Sequence, residues 1–591
     1  MDDVVTDSGM VHFAPGNMVT VRAMRIGNSR LTQLWKPLRP CLNCHQVSEP
    51  CPDSSRNVRF PDDFPLGALY IRDINADIDQ GWEPYGTALG VVPVAANEEL
   101  LLLCECLTAP THALRTLGSQ DIGALKLSDP ELDHVLPDAQ ALTNLRELQL
   151  YRCIIGETRF SHILGFPKLR ALSVSETRLT DGVLARLHLP PGVTTLDLNS
   201  CIINDDDLIN FPSLDQLHVL SLHSNGLTGS WLSRLYEMTM LVQLELGGNK
   251  ITDDALGHFR DNKTIVTLGL GGRDYNGRGL QHVATMPSLA SLDLSYTRIK
   301  EIFLKDLYSL PRLTAINASY WAVDNSGLNI LSQISRLKKL NVSYTDVTDE
   351  GISYIGRLES MESLAIQGLN ITNNGLKFLS RLHVLKELDL SCRQVSGIGV
   401  ASVGNRKFLH RLNLAGTAIN GSDLVHLQDF VGLQSLNLAD CAVDDRGLYY
   451  LKNMLNMQSL NVSGTRLGDE GIALLCSFSE LQSIDLSGTS ITDAGVDMLS
   501  CLSNLQHVYL DSTAISSVSI RSLKQLAQLR TLSLTGTNIG DDSVEALISI
   551  NTLRFLRLIG TRMTQEGVVK LREALPRCEI NFVVISTSRL I

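Results

Sequence analysis

Residues 481–504 read LQSIDLSGTSITDAGVDMLSCLSN, and the fold of the chain depends on the pattern that they contain. Apolar and polar residues alternate through Leu481, Ile484 and Leu486, which is the period-two pattern of one short strand. Thr492 stands where a helix N-cap accepts a backbone N–H, and Asp493 follows in the first helical turn. Three apolar residues then come at helical spacing and face back onto the strand: Val496, Leu499 and Leu502.

The same pattern recurs every 24 residues without insertion. Position 4 is Leu, Ile or Val in all units, positions 16 and 19 are always apolar, and position 12 is usually Ser, Thr, Asn or Asp. A fixed period of this size is typical of a solenoid, in which each unit packs only on its neighbours. The units begin at Leu145, Leu169, Val193, Leu217, Leu241, Ile265, Leu289, Leu313, Leu337, Met361, Leu385, Leu409, Leu433, Met457, Leu481, Leu505, Leu529 and Leu553.

These units resemble leucine-rich repeats, as in TRLTDGVL (177–184), TDVTDEGI (345–352), TRLGDEGI (465–472) and TSITDAGV (489–496). They are most similar to the cysteine-containing and ribonuclease-inhibitor-like subclasses found in F-box substrate receptors, although we find no F-box pattern. The resemblance implies an α/β fold: a curved, right-handed leucine-rich-repeat solenoid with parallel β-strands on its concave face and short α or 3-10 segments on its convex face. Position 9 in such families bonds the turn backbone, so Cys153, Cys201 and Cys441 are expected in a turn ladder rather than in a metal or catalytic site.

Four regions are predicted from the extent of the pattern. Residues 1–60 follow neither period and are expected to be irregular or disordered. Residues 61–121 are expected to form an N-terminal cap, with a helix around Glu98 to Leu107. The solenoid of 24-residue units is predicted over 122–576, beginning with a strand in IGALKL (122–127), and a capping strand and tail over 577–591; LGALYI (66–71) is a weaker strand match.

Composition argues against several classes of partner. The net charge of -12 and the absence of any basic run disfavour nucleic acid, which requires clustered Lys and Arg. No apolar stretch approaches the roughly 20 residues that span a bilayer, so no membrane association is predicted. The N-terminus has no secretory pattern, and the cysteines beyond residue 107 are single and widely spaced. We therefore expect reduced thiols and a cytoplasmic or nuclear location.

One segment has the spacing of a metal or haem site. Cys41, Cys44 and His45 form C-x-x-C-H, and Cys51 follows. Two thiolates and an imidazole could begin a zinc site or attach haem, but zinc needs four ligands and haem attachment needs an exported setting. The preferred interpretation is a surface loop with free thiols, with no metal and no cofactor. No nucleophile, base and orienting acid are recognisable together, so no enzymatic activity is predicted.

The register identifies candidates on the concave face, because positions 3, 5, 7 and 8 should face it. Position 8 is tyrosine in three successive units, and residues 24 apart should lie side by side about 5 Å apart. Tyrosines flanked by hydrogen-bonding groups are typical of protein–protein hot spots. The alternatives are a stacking ladder that only rigidifies the face and, for the tryptophan, an inward turn into space left by Ala318. The predicted partner-binding residues are Tyr296, Tyr320, Trp321, Tyr344, Asp293, Asn317, Asn341 and Lys339.

The sequence therefore predicts a non-catalytic scaffold that binds a protein partner on the concave face of a leucine-rich-repeat solenoid. Resemblance of the repeats to those of F-box receptors leaves a second role open, as a substrate-recognition subunit that joins a ubiquitin ligase adaptor. A third, from a different class, is a metal- or haem-bearing redox protein that uses Cys41, Cys44 and His45.

Overall fold

The computed structural model describes residues 56–61, 66–73, 82–95, 97–105, 113–128, 135–163, 165–180, 182–272 and 275–583. Within the unit quoted above, Ser483–Asp485 form a strand whose central residue, Ile484, is fully buried. A helix over Asp493–Met498 follows, and a 3-10 turn over Leu499–Cys501 completes the unit. Thr492 accepts a hydrogen bond from the Ala494 N–H, which confirms it as the helix cap.

One sheet contains the repeat strands, which pair in parallel and in register with the unit before and the unit after. Its first members, Ala68–Asp73 and Glu83–Thr87, are antiparallel. The remaining strands of this sheet are Glu98–Glu105, Ala124–Ser128, Glu147–Leu150, Ala171–Ser173, Thr195–Asp197, Val219–Ser221, Gln243–Glu245, Thr267–Gly269, Ser291–Asp293, Ala315–Asn317, Lys339–Asn341, Ser363–Ala365, Glu387–Asp389, Arg411–Asn413, Ser435–Asn437, Ser459–Asn461, Ser483–Asp485, His507–Tyr509, Thr531–Ser533, Phe555–Arg557 and Glu579–Asn581. Two separate pairs are Arg56–Arg59 with Val91–Val94 and Ile154–Ile155 with Arg178–Leu179.

Short helices fill the other side of each unit, because a 24-residue repeat leaves room for only about two helical turns. The α-helices are Val135–Ala139, Glu157–Ile163, Val183–Arg186, Asp205–Ile209, Leu280–Val283, Asn325–Leu331, Asp349–Ile355, Asn373–Leu376, Gly397–Val400, Asp445–Leu448, Asp469–Leu475, Asp493–Met498, Ile520–Leu523, Val544–Ile548 and Gln565–Ala574. The 3-10 segments are Ala113–Thr116, Ser230–Tyr236, Ala255–Phe259, Glu301–Ser309, Lys377–Arg381, Gly421–Leu427, Tyr449–Leu451, Leu499–Cys501 and Asp541–Ser543.

The N-terminal region differs from the prediction. Glu98–Glu105 is a strand rather than a helix, because four leucines in succession lie between two neighbouring strands. Its parallel pairing with Ala124–Ser128 begins the solenoid sheet earlier than residue 122. Arg72 bonds Glu99 on the neighbouring strand at 2.5 Å and Glu147 in the first repeat at 2.6 Å, and so connects the antiparallel strands to that repeat.

The side chain at position 9 forms hydrogen bonds with the backbone of the turn that follows the strand. Thr489 Oγ1 donates to the Leu486 carbonyl at 2.6 Å, and the same bond recurs at other threonines of this row. The sulfur atoms of Cys201 and Cys441 donate to the carbonyls of Val174 and Leu414 across the repeat boundary. The Cys153 sulfur bonds the Tyr151 carbonyl. The predicted turn ladder is therefore confirmed for all three cysteines.

Where position 13 is Asp or Asn, its side chain joins the unit to the next one, which explains the recurring Thr-Asp-x-Gly. Asp469 accepts hydrogen bonds from the N–H and the hydroxyl of Thr492 in the following unit, at 2.8 and 2.6 Å. A methyl group on Gly495 would lie 2.4 Å from Asp469 Oδ1, so position 15 must be small here. The same arrangement recurs at Asp349 with Thr372 and at Asp541 with Thr564.

The two ends of the sheet meet. Thr87, at the end of the antiparallel edge strand, donates from Oγ1 to the Cys578 carbonyl at 3.2 Å. Arg577 donates to the Val91 carbonyl at 3.2 Å, and the Arg554 guanidinium lies 5.9 Å from the centre of the Tyr85 ring. These side-chain contacts, which we call the junction, close the sheet into a ring.

The cysteines differ in part from the expectation of reduced thiols. Cys476 and Cys501, 25 residues apart on the helical side of adjacent units, are joined by a disulfide. The other cysteines in the described ranges are free and buried: Cys104, Cys153, Cys201, Cys392, Cys441 and Cys578. In the same ranges, every helix is too short or too polar to cross a bilayer.

Candidate functional site

The three tyrosines of position 8 form a continuous stack, which we call the tyrosine ladder. Ring centres of Tyr296 and Tyr320 are 4.6 Å apart with planes 4° from parallel. Tyr320 and Tyr344 are also 4.6 Å apart, at 15°. All three remain exposed, Tyr320 at 47%. The ladder follows the ends of its strands by three residues and so borders the carboxyl-terminal edge of the sheet.

The backbone of the tyrosine ladder is in the left-handed region. The φ angles of Tyr296, Tyr320 and Tyr344 are 58°, 54° and 58°, and the next unit has glycine at this position, Gly368, with φ 71°. The left-handed region costs a non-glycine residue roughly 1–2 kcal/mol. Stacking of the rings offsets part of this cost, at about 0.5–1.5 kcal/mol per ring pair.

Trp321 belongs to the core and not to the exposed site. It is only 2% exposed, and its indole N–H donates to the Ile299 carbonyl at 3.1 Å. Ala318 beneath it is fully buried, so the missing side-chain volume at position 6 is filled from position 9. Of the two alternatives for Trp321, the inward turn is confirmed.

The polar residues at position 5 lie beside the tyrosine ladder and also end their strands. Asp293, Asn317 and Asn341 each accept from the N–H two residues later, at 2.7, 3.2 and 3.0 Å. Asn317 also donates to Asp293 at 3.0 Å, which links neighbouring strands. Lys339, at position 3, is exposed. The structure thus brings together every predicted site residue except Trp321, with the position 5 side chains partly engaged in the fold.

A glycine-lined patch beside Tyr296 was not predicted as a site. The Glu245 carboxylate fills the space beside Gly269, since a methyl group on this glycine would lie 1.7 Å from Glu245 Oε2. Burial first, and then the nearby Asp293 carboxylate, raise the pKa of Glu245 to about 7, although Gln243 opposes the shift by donating to it. Burial lowers the pKa of His223 on the far side of the patch, against the influence of Asp293. The glycines of the GLGG stretch at 269–272 are the only sequence signal for this patch.

An open depression lies on the loops that follow the tyrosine ladder. It has a volume of about 520 Å³ and lies between residues 298–302 and 321–324. Trp321 and Val323 contribute apolar lining, and Ile302 is 61% exposed at its margin. The depression therefore lies on the loops of the two units that carry Tyr296 and Tyr320.

The cysteine-based alternative cannot be compared with this geometry. Cys41, Cys44, His45 and Cys51 lie outside the described residues. Across the part of the chain that the structure does describe, no cluster of three or more His, Cys, Asp or Glu side chains could hold a metal ion.

Comparison with known proteins gives matches to repeat families. A "Leucine rich repeat" family model matches residues 479–539, and a second matches 237–257, 335–356, 433–452 and 453–476. No curated protein sequence matches the chain.

Solved structures with a similar fold include a TLR13–ssRNA13 complex, at 18% identity, TM-score 0.49, and coverage of 82% of this chain and 77% of that one. A mouse RP105/MD-1 complex matches at 18% identity and TM-score 0.46, over 81% of this chain and 94% of that one. A Leptospira interrogans leucine-rich-repeat protein matches at 18% identity and TM-score 0.39, over 80% and 97%.

Proposed function

Because the chain is a leucine-rich-repeat protein, we propose that it is a non-catalytic scaffold that binds a protein partner through the tyrosine ladder and the polar residues beside it. The observation that carries this proposal is the exposed stack formed by the rings of Tyr296, Tyr320 and Tyr344. Glycine occupies this position in eight other units at no steric cost, and non-glycine residues such as Asp440 and Ser512 adopt the same left-handed backbone in six. Three consecutive tyrosines that keep more than a third of their surface exposed support a role outside the fold.

The chemistry around the tyrosine ladder suits protein recognition. Tyrosine offers a rigid apolar face and a polar hydroxyl, and it is among the residues enriched in interface hot spots. Asn341 and Lys339 add a hydrogen-bonding group and a cationic group on the strand that precedes Tyr344. No feature of the described residues favours recruitment by a ubiquitin ligase over this simpler role, which leaves that role a prediction of the resemblance alone.

Affinity capture with quantitative mass spectrometry tests the proposal. Tyr320→Gly with Tyr344→Gly removes the side chains while keeping a residue suited to the backbone, as at Gly368. The matched control is Asp440→Gly with Ser512→Gly, at left-handed position 8 residues outside the ladder. We expect the ladder variant to reduce capture of the partner by about tenfold or more, as for hot-spot residues. If both variants capture the same proteins at the same level as the wild type, the tyrosine ladder is structural and the proposal is wrong.

A further inference from the structure

The junction limits what can reach the concave face. Thr87 and Arg577 bond carbonyl groups on opposite ends of the sheet, and Tyr70 Oη lies 3.5 Å from Glu579 Oε2 at the same place. The concave face is therefore the inner wall of a ring, and its two edges border the two openings. A partner that contacts the inner wall must pass through one of these openings.

The size of the ring sets the width of that partner. The described residues contribute 23 strands to the sheet. At about 4.8 Å per strand, the circumference is on the order of 110 Å and the backbone-to-backbone width about 35 Å. Inward side chains reduce the free width to roughly 25 Å, which admits an α-helix of about 10–12 Å diameter. A domain of about 100 residues, with a radius of gyration near 13 Å, is too wide.

The inner wall also has a defined charge. Position 5 carries one cation, Arg557, and carboxylates in five repeats, which we call the acidic row: Asp197, Glu245, Asp293, Asp389 and Asp485. Because the pKa of Glu245 is raised to about 7, the other four supply most of the negative charge at neutral pH. The hydrogen-bond donors to the acidic row are neutral: backbone N–H groups or the side chains of Ser, Asn and Gln. None has an ion pair with Lys or Arg in the described part of the chain, so a positively charged segment would be attracted to this wall.

We propose that the partner is a protein that inserts a narrow, basic projecting segment into the ring, through the opening that the tyrosine ladder borders, while its folded body stays outside. This inference rests on the proposed function and names the chemistry of the partner. The ladder lies at the carboxyl-terminal edge of the sheet and the acidic row lies on the strands themselves. One segment can therefore contact the tyrosines at the rim and the carboxylates inside.

Two probes test the width and charge of the inserted segment. The first is a fluorescein-labelled 20-residue peptide of alternating Lys and Ser; the second is cytochrome c, a folded basic domain of about 100 residues. Binding of each is measured by fluorescence anisotropy or calorimetry at low salt. Three of the five carboxylates of the acidic row are neutralised by Asp293→Asn, Asp389→Asn and Asp485→Asn together.

These substitutions preserve the fold, because asparagine already occupies position 5 in other repeats. Asn413, Asn437 and Asn461 accept the N–H of position 7 at 3.1, 3.0 and 2.9 Å, as the aspartates do. The matched control neutralises three exposed carboxylates outside the sheet, by Glu359→Gln, Glu480→Gln and Glu573→Gln. It makes the same change in net charge at a different place.

We expect the triple asparagine variant to weaken peptide binding by about tenfold, the combined effect of losing three modest charge pairs. The control should change it by less than about twofold, because distant surface charges are screened. Cytochrome c should not distinguish the two variants. The inference is overturned if the peptide does not distinguish them, or if cytochrome c loses affinity in parallel with the peptide.

Covalent closure tests the route of entry. Val91→Cys with Arg577→Cys, bridged by a short bis-maleimide, should lock the junction, because Arg577 already reaches the Val91 carbonyl. Each single cysteine variant is the control for the bridge, which is detected by altered gel mobility. The locked ring should keep its peptide affinity within about twofold, since the openings stay accessible. Failure to bridge, or loss of peptide binding on bridging, contradicts a ring that is entered through its openings.

The outcome is separable from that of the proposed function. Suppose that the tyrosine variant loses the captured partner and that the acidic row has no effect on peptide binding. The scaffold role would then stand and this inference would be wrong. Peptide binding that depends on the acidic row, together with unchanged capture in the tyrosine variant, would remove the ladder as the site of recognition and with it the entry route proposed here.

Discussion

Asp469 accepts hydrogen bonds from both the backbone N–H and the hydroxyl of Thr492, across the boundary between two repeats. The aspartate of each Thr-Asp-x-Gly is therefore an inter-repeat contact as well as a favourable residue in the first turn of its own helix. Stability in a solenoid is the sum of unit and interface contributions, so this bond acts on the interface term.

Asp469→Ala should lower the free energy of unfolding by about 1–3 kcal/mol, because it leaves the Thr492 N–H without its acceptor. Asp469→Asn should cost less, since Asn325 accepts the Thr348 N–H at 3.0 Å in the native chain. Chemical denaturation of the two variants measures the difference. Equal destabilisation by Ala and Asn would contradict a hydrogen-bond role and indicate that the negative charge itself is needed.

Tyr320→Gly and Tyr320→Ala should differ in stability although both remove the ring. Each loses two stacking contacts worth about 0.5–1.5 kcal/mol apiece. Only glycine also relieves the left-handed backbone, a gain of roughly 1–2 kcal/mol. We therefore expect the glycine variant to unfold within about 1 kcal/mol of the wild type and the alanine variant to be less stable. The midpoint of urea unfolding is the measurement, and an alanine variant as stable as the glycine variant would refute this account of the backbone.

Glu245 should make stability depend on pH near neutrality. Its pKa in the folded chain is about 7, raised from the ordinary value near 4.5 by burial and by Asp293. Because folding raises the pKa of Glu245, its contribution to the free energy of unfolding is fully present below about pH 4.5. That contribution is lost as the pH rises through 7.

Glu245→Gln, which stays neutral, should match the wild type near pH 4.5 and be more stable by about 3 kcal/mol at pH 8. Thermal unfolding across that range measures the effect, with the exposed Glu480→Gln as the control. A constant difference between variant and wild type at all pH values would mean that Glu245 does not titrate with the fold.

The disulfide between Cys476 and Cys501 should stabilise the C-terminal repeats. Closing a loop of 25 residues contributes about 3 kcal/mol in the chain-entropy description. Cys501→Ser should therefore lower the melting temperature, and reductant should lower it for the wild type but not for the variant.

Peptide mapping without reductant, on protein isolated from its source, shows whether the bond is present in the cell. Because such bonds persist in oxidising compartments, a bonded pair would argue against the cytoplasmic location expected from the spacing of the cysteines. A free pair would show that the bond is not part of the native protein.

Several features of the site could be predicted because a fixed period converts sequence distance into spatial distance. Tyr296, Tyr320 and Tyr344 stack because position 8 of each unit lies beside position 8 of the next, whatever the details of packing. Trp321 shows where that rule ends. The repeat register allowed the Trp321 side chain to lie either on the surface or in the core. It lies in the core, where the small side chain of Ala318 leaves space.

The amino-acid sequence by itself determined the repeat, the register of the parallel strands, the buried positions and the row to which each exposed side chain belongs. These depend on neighbours one unit away, and every unit repeats the same local chemistry. Only the tertiary structure decided that Thr87 meets Cys578, that Cys476 meets Cys501, and that Glu245 reaches across Gly269 toward Asp293. Those relationships depend on curvature accumulated over many units and on where individual side chains find space, and neither quantity is encoded in any one repeat.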